Sequence, residues 1–257
     1  MSDENAVLRE RRDVSPSLAI YRIAPLERAP AAFLPGQFTN LGLYVEPEPG
    51  SGRRLVRRAF SIASPPDERG HLEFYLRRID EGELSSRLFQ LAPGDRLWLD
   101  PRVYGRFTLS DVPDGADLLL VGTGTGIAPF LSMLRAFRGR ARWGRCVMLE
   151  SAHDADELGY RSELEALARD DPSFAYEPTL TREPAESGWT GLRGRVQRHL
   201  EPGAFLTRIG RPLDASWHAF LCGNPSMITE VARLLELGGL ALHRRSRPGQ
   251  IHTERYW

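Results

Sequence analysis

The alternation of apolar and polar positions changes its rhythm near residue 112. Before that point apolar residues gather in short runs, over residues 18–23, 36–45, 55–62, 71–79 and 96–99, separated by proline- and glycine-containing breaks. Runs of this length predict short strands, and several in succession predict a small antiparallel β-barrel. One helix interrupts them. Ser85 stands where an N-cap hydroxyl belongs, Leu88, Phe89 and Leu91 follow, and Pro93-Gly94 stops the run. Past the turn cluster Asp111-Val112-Pro113-Asp114-Gly115, continuous apolar runs alternate with helical ones. Strands are expected at 118–121, 146–149, 174–180 and 219–222, and helices at 128–137, 162–169, 195–200 and 226–237. That alternation predicts a doubly wound parallel α/β sheet. The expected organisation is two domains, an antiparallel β-barrel over 1–112 and an α/β doubly wound parallel-sheet domain over 113–257.

Composition narrows the function classes. Hydrophobic residues at 41% and charged residues at 26% are ordinary for a globular chain, and 257 residues suffice for two cores. Acidic and basic residues balance at 34 each, so no global charge points to nucleic acid or an anionic membrane. All the basic residues are arginine, since the sequence contains no lysine, and any anion contact must use a planar guanidinium. No apolar run is long enough to span a bilayer, and Met1 is followed by the polar Ser2-Asp3-Glu4-Asn5, unlike a signal peptide. Cys146 and Cys222 are too few for a disulfide scaffold or a Cys-ligated iron–sulfur cluster, and no metal site is expected. These features favour a reducing cytoplasm.

Several segments carry candidate chemistry. In Leu118–Phe130 an apolar strand runs through Gly122-Thr123-Gly124-Thr125-Gly126 into a helix. Glycines let such a turn approach a pyrophosphate, and the helix start offers free N–H groups. The spacing is not the usual dinucleotide fingerprint, and a Walker loop is excluded because it needs lysine. A purely structural turn fits the same string. Arg58-Ala59-Phe60-Ser61 places a guanidinium, an aromatic and a hydroxyl on one strand, able to hold a phosphate and stack a flat ring, although an ordinary barrel strand reads alike. Cys222 ends a strand, where open α/β sheets place ligands, while Cys146 lies inside an apolar run and is assigned to the core. The C-terminal Tyr256-Trp257 puts two large aromatics on a tail that nothing in the local pattern buries.

Taken in order, these strings resemble the ferredoxin–NADP reductase family in its bacterial, ferredoxin/flavodoxin-using form. Arg58-Ala59-Phe60-Ser61 is similar to that family's Arg-x-Tyr-Ser flavin motif. Gly36-Gln37-Phe38-Thr39, Gly82-Glu83-Leu84-Ser85, the glycine turn, Cys222-Gly223-Asn224-Pro225 and the final Tyr256-Trp257 follow in the family's order. The resemblance implies an FAD-binding barrel and an NADP-binding α/β domain. It assigns Arg58 to the FAD pyrophosphate, Phe60 to stacking on the isoalloxazine and Ser61 to the neighbourhood of flavin N5. Ala59 belongs to the same motif, and Phe60 departs from the usual tyrosine and lacks its hydroxyl. Tyr75-Leu76-Arg77 resembles the strand lining the flavin tail, and Gly82, Leu84 and Ser85 the turn receiving the pyrophosphate. Thr125 matches a threonine that reaches the flavin from the second domain. Tyr256 would cover the flavin face and Trp257 the adenine, so Tyr256 must move for hydride transfer. Gly124, Gly126, Cys222, Gly223 and Asn224 are assigned to NADP, with Cys222 near the hydride path. Glu254, near the tail, is a candidate to help a proton reach the flavin, although a solvated carboxylate is the commoner reading of such a residue.

The 2′-phosphate that distinguishes NADP from NAD wants arginines. Arg182 and Arg195 match positions that bind it in similar enzymes, while His153 stands where the family has a further arginine. Glu150, near the end of a strand, is a residue type that NAD sites use for the ribose. Two retained arginines favour NADP. The implied activity is hydride transfer from NADPH to flavin N5, then single-electron transfer to ferredoxin or flavodoxin. A monomer is expected, docking an acidic carrier on arginines such as Arg77, Arg78 and the run Arg244-Arg245-Ser246-Arg247. Two other readings are open: an NAD(P)H-dependent flavin or quinone reductase or oxygenase reductase component, and a non-catalytic FAD-bound sensing or interaction protein.

Overall fold

The computed structural model describes residues 4–27, 29–46, 50, 52–140 and 142–255. The chain divides into two compact units, one running through Leu109 and taking in Ala128–Arg138, the other formed by Ser110–Ile127 and the chain from Gly139 onward. In the first unit, strands β1 (Ala6–Ser15), β2 (Leu18–Pro25), β3 (Phe38–Val45), β4 (Arg54–Ser61) and β5 (Leu72–Arg77) precede helix α1 (Ser85–Leu88) and β6 (Arg96–Leu99). They form one sheet in the order β4-β3-β6-β1-β2-β5, antiparallel at every pairing. An antiparallel bridge from Ile62 to Phe74 links the segment after β4 to β5 and curls the sheet into a barrel. Its interior is filled by Leu8, Tyr21, Ile23, Leu41, Ile62, Phe74, Leu76, Leu88 and Leu97, all fully buried. Each such large side chain contributes on the order of 1.5–3 kcal/mol by leaving water.

Two expectations need correction here. Strand β1 was not foreseen, because only Ala6, Val7 and Leu8 are buried and the charged Arg9-Glu10-Arg11-Arg12-Asp13 hides the period of two. Pairing with β2 along its length, interrupted by two irregularities, holds it. Ser85 does not cap α1. Leu84 is the cap residue and makes no side-chain bond, whereas the Ser85 hydroxyl accepts from the Ile79 amide at 3.1 Å and donates to the Ile79 carbonyl at 3.2 Å. Ser85 therefore closes the turn before the helix rather than its end.

The second unit holds β7 (Asp117–Thr123), which leads to α2 (Ala128–Ala136), the helix that packs with the first unit. Then come β8 (Cys146–Ala152), α3 (Arg161–Asp170), β9 (Phe174–Leu180), β10 (Leu192–Arg193), α4 (Pro202–Ile209), β11 (Trp217–Gly223), α5 (Pro225–Leu237) and β12 (Ile251–Arg255). The sheet order is β10-β9-β8-β7-β11-β12, parallel throughout. Successive strands build outward from β7 in one direction, and the order reverses between β7 and β11, which is the switch point of a doubly wound sheet. Leu119, Val121, Val147, Leu149, Ala219 and Leu221 pack against Ile228, Val231 and Leu235 of α5, with Trp217 edge-on to Phe205 of α4 at 5.4 Å. Among the described residues no helix is long and apolar enough to cross a membrane.

The helix expected at 195–200 is a 3₁₀ turn, Val196–Leu200, and the true helix α4 follows it behind Pro202. The segment before the C-terminal aromatics is a strand, β12, in register with β11 from Ala219–Ile251 to Gly223–Arg255. His252 fixes it: its ring lies flat on Phe220 at 4.3 Å and stacks on His243 at 4.4 Å. Burial, and then the neighbouring His243 and His218, push its pKa down to about 3, so His252 itself is neutral at pH 7. Tyr256 and Trp257 lie outside the described residues.

Glu150 sits inside β8 with no exposed surface, its Oε2 accepting the Tyr176 hydroxyl and its Oε1 buried without a partner. Burial pushes its carboxyl up from 4.5 to about 7, against a lowering by the Tyr176 bond. Between those values the unfolded chain has released this proton and the folded chain keeps it. Stability from this group is therefore fully present below pH 4.5 and is lost as pH rises through 7. Relative to wild type, Glu150→Gln should gain up to about 3 kcal/mol between acid and pH 8. Urea unfolding across pH checks this, and a pH-independent difference contradicts it.

Candidate functional site

The flavin-like motif occupies the last four residues of β4. Arg58 and Ala59 are exposed, Phe60 is half-buried against the barrel core, and Ser61 is buried. The Arg58 guanidinium reaches back to the Arg57 carbonyl at 2.8 Å and stays at the surface. Beyond Ser61 the chain is pinned by β5, with the Ala63 amide on the Glu73 carbonyl at 2.8 Å and the Glu73 amide on Ser64 Oγ at 3.0 Å. Tyr75 and Leu76 are buried, Leu76 wholly within the core, so only its backbone can face a ligand; Arg77 is half-buried. Gly82 and Ser85 share a tight turn in which a Cβ on Gly82 would crowd the Ser85 hydroxyl, and Leu84 points inward. The first helical bond there runs from Ser86 N–H to the Gly82 carbonyl, so the amides of Leu84 and Ser85 lie ahead of it. An exposed guanidinium, a half-exposed ring and the hydroxyl of a buried serine on one strand suit a flat heterocycle carrying a pyrophosphate.

In the second unit the structure gathers a set of residues at the switch point. Gly124 takes a left-handed φ of 53°, turning the chain after β7 into the 3₁₀ turn Gly124–Ile127. Gly126 packs so closely on the Cys222 carbonyl that no Cβ fits, and Gly223, at φ 121°, lies equally close to Thr123. The Asn224 amide donates to Thr123 Oγ1 at 2.8 Å, and Asn224 Oδ1 caps α5 through the Ser226 amide at 2.8 Å. Gly124, Gly126, Cys222, Gly223 and Asn224 are thus brought together, with half-buried Thr125 on the same turn. Cys222 is fully buried, and one sheet row runs Glu254, Cys222, Gly122, Glu150. In a parallel row these side chains share one face, so half-buried Glu254 stands beside Cys222 on β12 rather than on a loose tail. Glu150 is turned inward to Tyr176, so its carboxylate is not offered to a ribose.

The nucleotide-selecting candidates lie at the carboxyl ends of neighbouring strands. His153 follows β8, Arg182 follows β9 and Arg195 follows β10. The Arg182 amide donates to the His153 carbonyl at 2.7 Å, and the Gly194 amide to the Leu180 carbonyl at 2.8 Å, so the three loops are stitched together. The Arg182 and Arg195 side chains are exposed, while His153 Nδ1 lies 3.4 Å from Glu157. Glu183 is held below the usual carboxylate range by the Ser187 hydroxyl and by the Ala155 amide, which joins this loop to the turn after β8.

Thr123, Glu73, Ser132 and Arg135 were not foreseen. Each acts through contacts distant in sequence; the one local signal was a charged Glu73 inside the otherwise apolar run of β5.

The family model of the oxidoreductase FAD-binding domain matches residues 5–103, and that of the oxidoreductase NAD-binding domain matches 120–233. The flavodoxin/ferredoxin–NADP reductase of Escherichia coli (strain K12) is 35% identical over 228 residues, covering 88% of each chain. Ferredoxin–NADP reductase B of Sorangium cellulosum is 38% identical over 247 residues, covering 95% of this chain and 94% of that one. A solved ferredoxin NADP+ reductase from Neisseria gonorrhoeae with bound FAD and NADP superposes with a TM-score of 0.86 at 30% identity, covering 98% of each chain. By sequence along nearly its full length and by fold, this chain belongs to the flavodoxin/ferredoxin–NADP reductase family.

Proposed function

We propose that this protein is an FAD-dependent oxidoreductase that moves electrons between NADPH and ferredoxin or flavodoxin. The observation that carries the reading is the convergence of the glycine turn with Cys222-Gly223-Asn224 at the sheet's switch point, in a chain whose barrel keeps the Arg58–Ser61 motif. Bound FAD supplies the exchange between two-electron and one-electron chemistry. The barrel, residues 1–112, is read as the FAD-binding domain and residues 113–257 as the NADP-binding domain.

Arg58 and the turn amides of Leu84 and Ser85 bind the pyrophosphate, with Gly82, whose own amide is taken by the Ile79 carbonyl at 2.9 Å, shaping the turn; Tyr75, Leu76 and Arg77 line the flavin tail. Phe60 and Ala59 orient the ring by contact alone, without a phenol hydroxyl, and Ser61 holds a hydrogen bond at N5. Cys222 sets where the nicotinamide arrives, and Glu254, its neighbour on β12, holds or passes a proton. Gly124, Gly126, Gly223 and Asn224 admit the NADP backbone; Arg182 and Arg195, with His153, take the 2′-phosphate. Thr125, Tyr256 and Trp257 are proposed as flavin contacts on the resemblance alone. A monomer in the cytoplasm, docking an acidic carrier on surface arginines, completes the proposal.

With the purified holoprotein and NADPH, reduction of a terminal acceptor should require ferredoxin or flavodoxin and saturate with it. Turnover on free flavin or quinones with none through either carrier protein overturns the assignment. Arg182→Ala combined with Arg195→Ala should raise KM for NADPH about tenfold or more and leave KM for NADH unchanged, since hydrogen bonds to charged groups contribute about 1.5–3 kcal/mol. Equal losses with both nucleotides would remove these arginines from 2′-phosphate selection.

A further inference from the structure

Ser61 is the last residue of β4, and beyond it single backbone bonds, from the Ile62 amide to the Gln37 carbonyl at 3.0 Å and from the Ala63 amide to the Glu73 carbonyl at 2.8 Å, replace the regular β3–β4 ladder. The next residues are nevertheless deeply buried: Ile62 and Ala63 have no exposed surface and Ser64 has 2%. Their carbonyls need donors, because a buried unpaired carbonyl is costly. Helix α2 supplies two of them. Arg135 Nη1 donates to the Ala63 carbonyl at 2.9 Å, and Ser132 Oγ donates to the Ser64 carbonyl at 2.8 Å. The same Arg135 nitrogen reaches Glu73 Oε1 at 2.7 Å. Glu73, whose side chain is 4% exposed, turns its other oxygen to Arg22 Nε at 3.0 Å.

These bonds close a ring. Glu73 accepts the Ala63 amide with its backbone carbonyl and holds Arg135 with its carboxylate, while Arg135 returns to the Ala63 carbonyl. A charged donor is thus fixed on one peptide, two residues from Ser61. We propose that Arg135, seconded by Ser132 and oriented by Glu73, is a positioning residue of this enzyme: it sets the backbone of residues 61–64 and through it the Ser61 hydroxyl. The inference rests on the reading of Ser61 as the hydroxyl at the flavin. A group acting at a reacting atom is sensitive to displacements that leave the fold intact; about 1 Å of misplacement can cost about 100-fold in rate.

The test uses the full-length protein carrying Arg135→Met, which keeps the stem and removes the donors, Arg135→Lys, which restores a charged donor, and Ser132→Ala. Hydrogen exchange at residues 62–64 is read with and without added FAD, together with visible circular dichroism of the bound flavin and its single-turnover reduction by NADPH. In R135M, protection at these amides should fall roughly 10-fold or more, the flavin dichroism should change, and reduction should slow at least about 10-fold with nucleotide KM within about twofold of wild type. R135K should recover most of each, and S132A should show a smaller effect of the same kind. Should R135M fail to fold, S132A, which loses one hydroxyl, is judged by the same readouts. Unchanged exchange, or a lower melting temperature with wild-type dichroism and reduction rate, overturns the proposal. A wild-type protein that takes up no FAD contradicts the functional reading instead, while the exchange measurement still decides whether Arg135 holds this segment.

Discussion

At the carboxyl end of the parallel sheet the backbones of β7 and β11 meet with only the Thr123 hydroxyl between them. Gly126 lies against the carbonyl of Cys222, and Gly223 lies against Thr123, each too close for a Cβ. The rest of the nucleotide-binding unit follows from this contact. It is possible only where β7 and β11 are neighbours, hence only at the switch point of the strand order. It places the left-handed turn at Gly124 beside the end of β11 and the capped start of α5. The glycines are required there by the protein's own packing.

The barrel depends on a different kind of constraint. Glu73 is a charge taken almost wholly out of water, tolerable because Arg22 and Arg135 each take one carboxylate oxygen. A buried pair of this type adds little net stability over an apolar substitute, but breaking it leaves an uncompensated charge. Its effect is to fix geometry, and what it fixes is the chain just after the flavin-like motif. Glu150 in the other sheet shows the opposite solution: with no cation beside it, the carboxyl moves toward its protonated form.

The parts legible in the sequence were those whose cause is local. The central parallel strands at 118–121, 146–149 and 219–222 are buried on both faces and read as apolar runs, and the more polar, half-buried run at 174–180 is also a strand in the structure. Strands β1 and β12 were hidden because Arg9–Asp13 and His252-Thr253-Glu254 are polar; pairing, and for β12 the flat contact of His252 on Phe220, holds them instead. A hydroxyl at a helix start looks like a cap from sequence, yet Ser85 bonds back to Ile79, a preference set by the turn at Gly82. The glycine turn and Cys222-Gly223-Asn224 were each visible as strings, but not their mutual packing across about a hundred residues, nor the Glu73–Arg135 pair, 62 residues apart. Glu150 looked available for a ribose until Tyr176, 26 residues on, was seen to hold it.

The central claim, that this chain joins a flavin to a nicotinamide nucleotide, is tested most directly by anaerobic titration of the purified protein with NADPH while its visible spectrum is followed. The account predicts a yellow protein carrying FAD in proportion to chain, whose flavin absorbance bleaches as NADPH is added. A colourless protein that takes up no FAD, or a bound flavin that NADPH leaves oxidised, would contradict it.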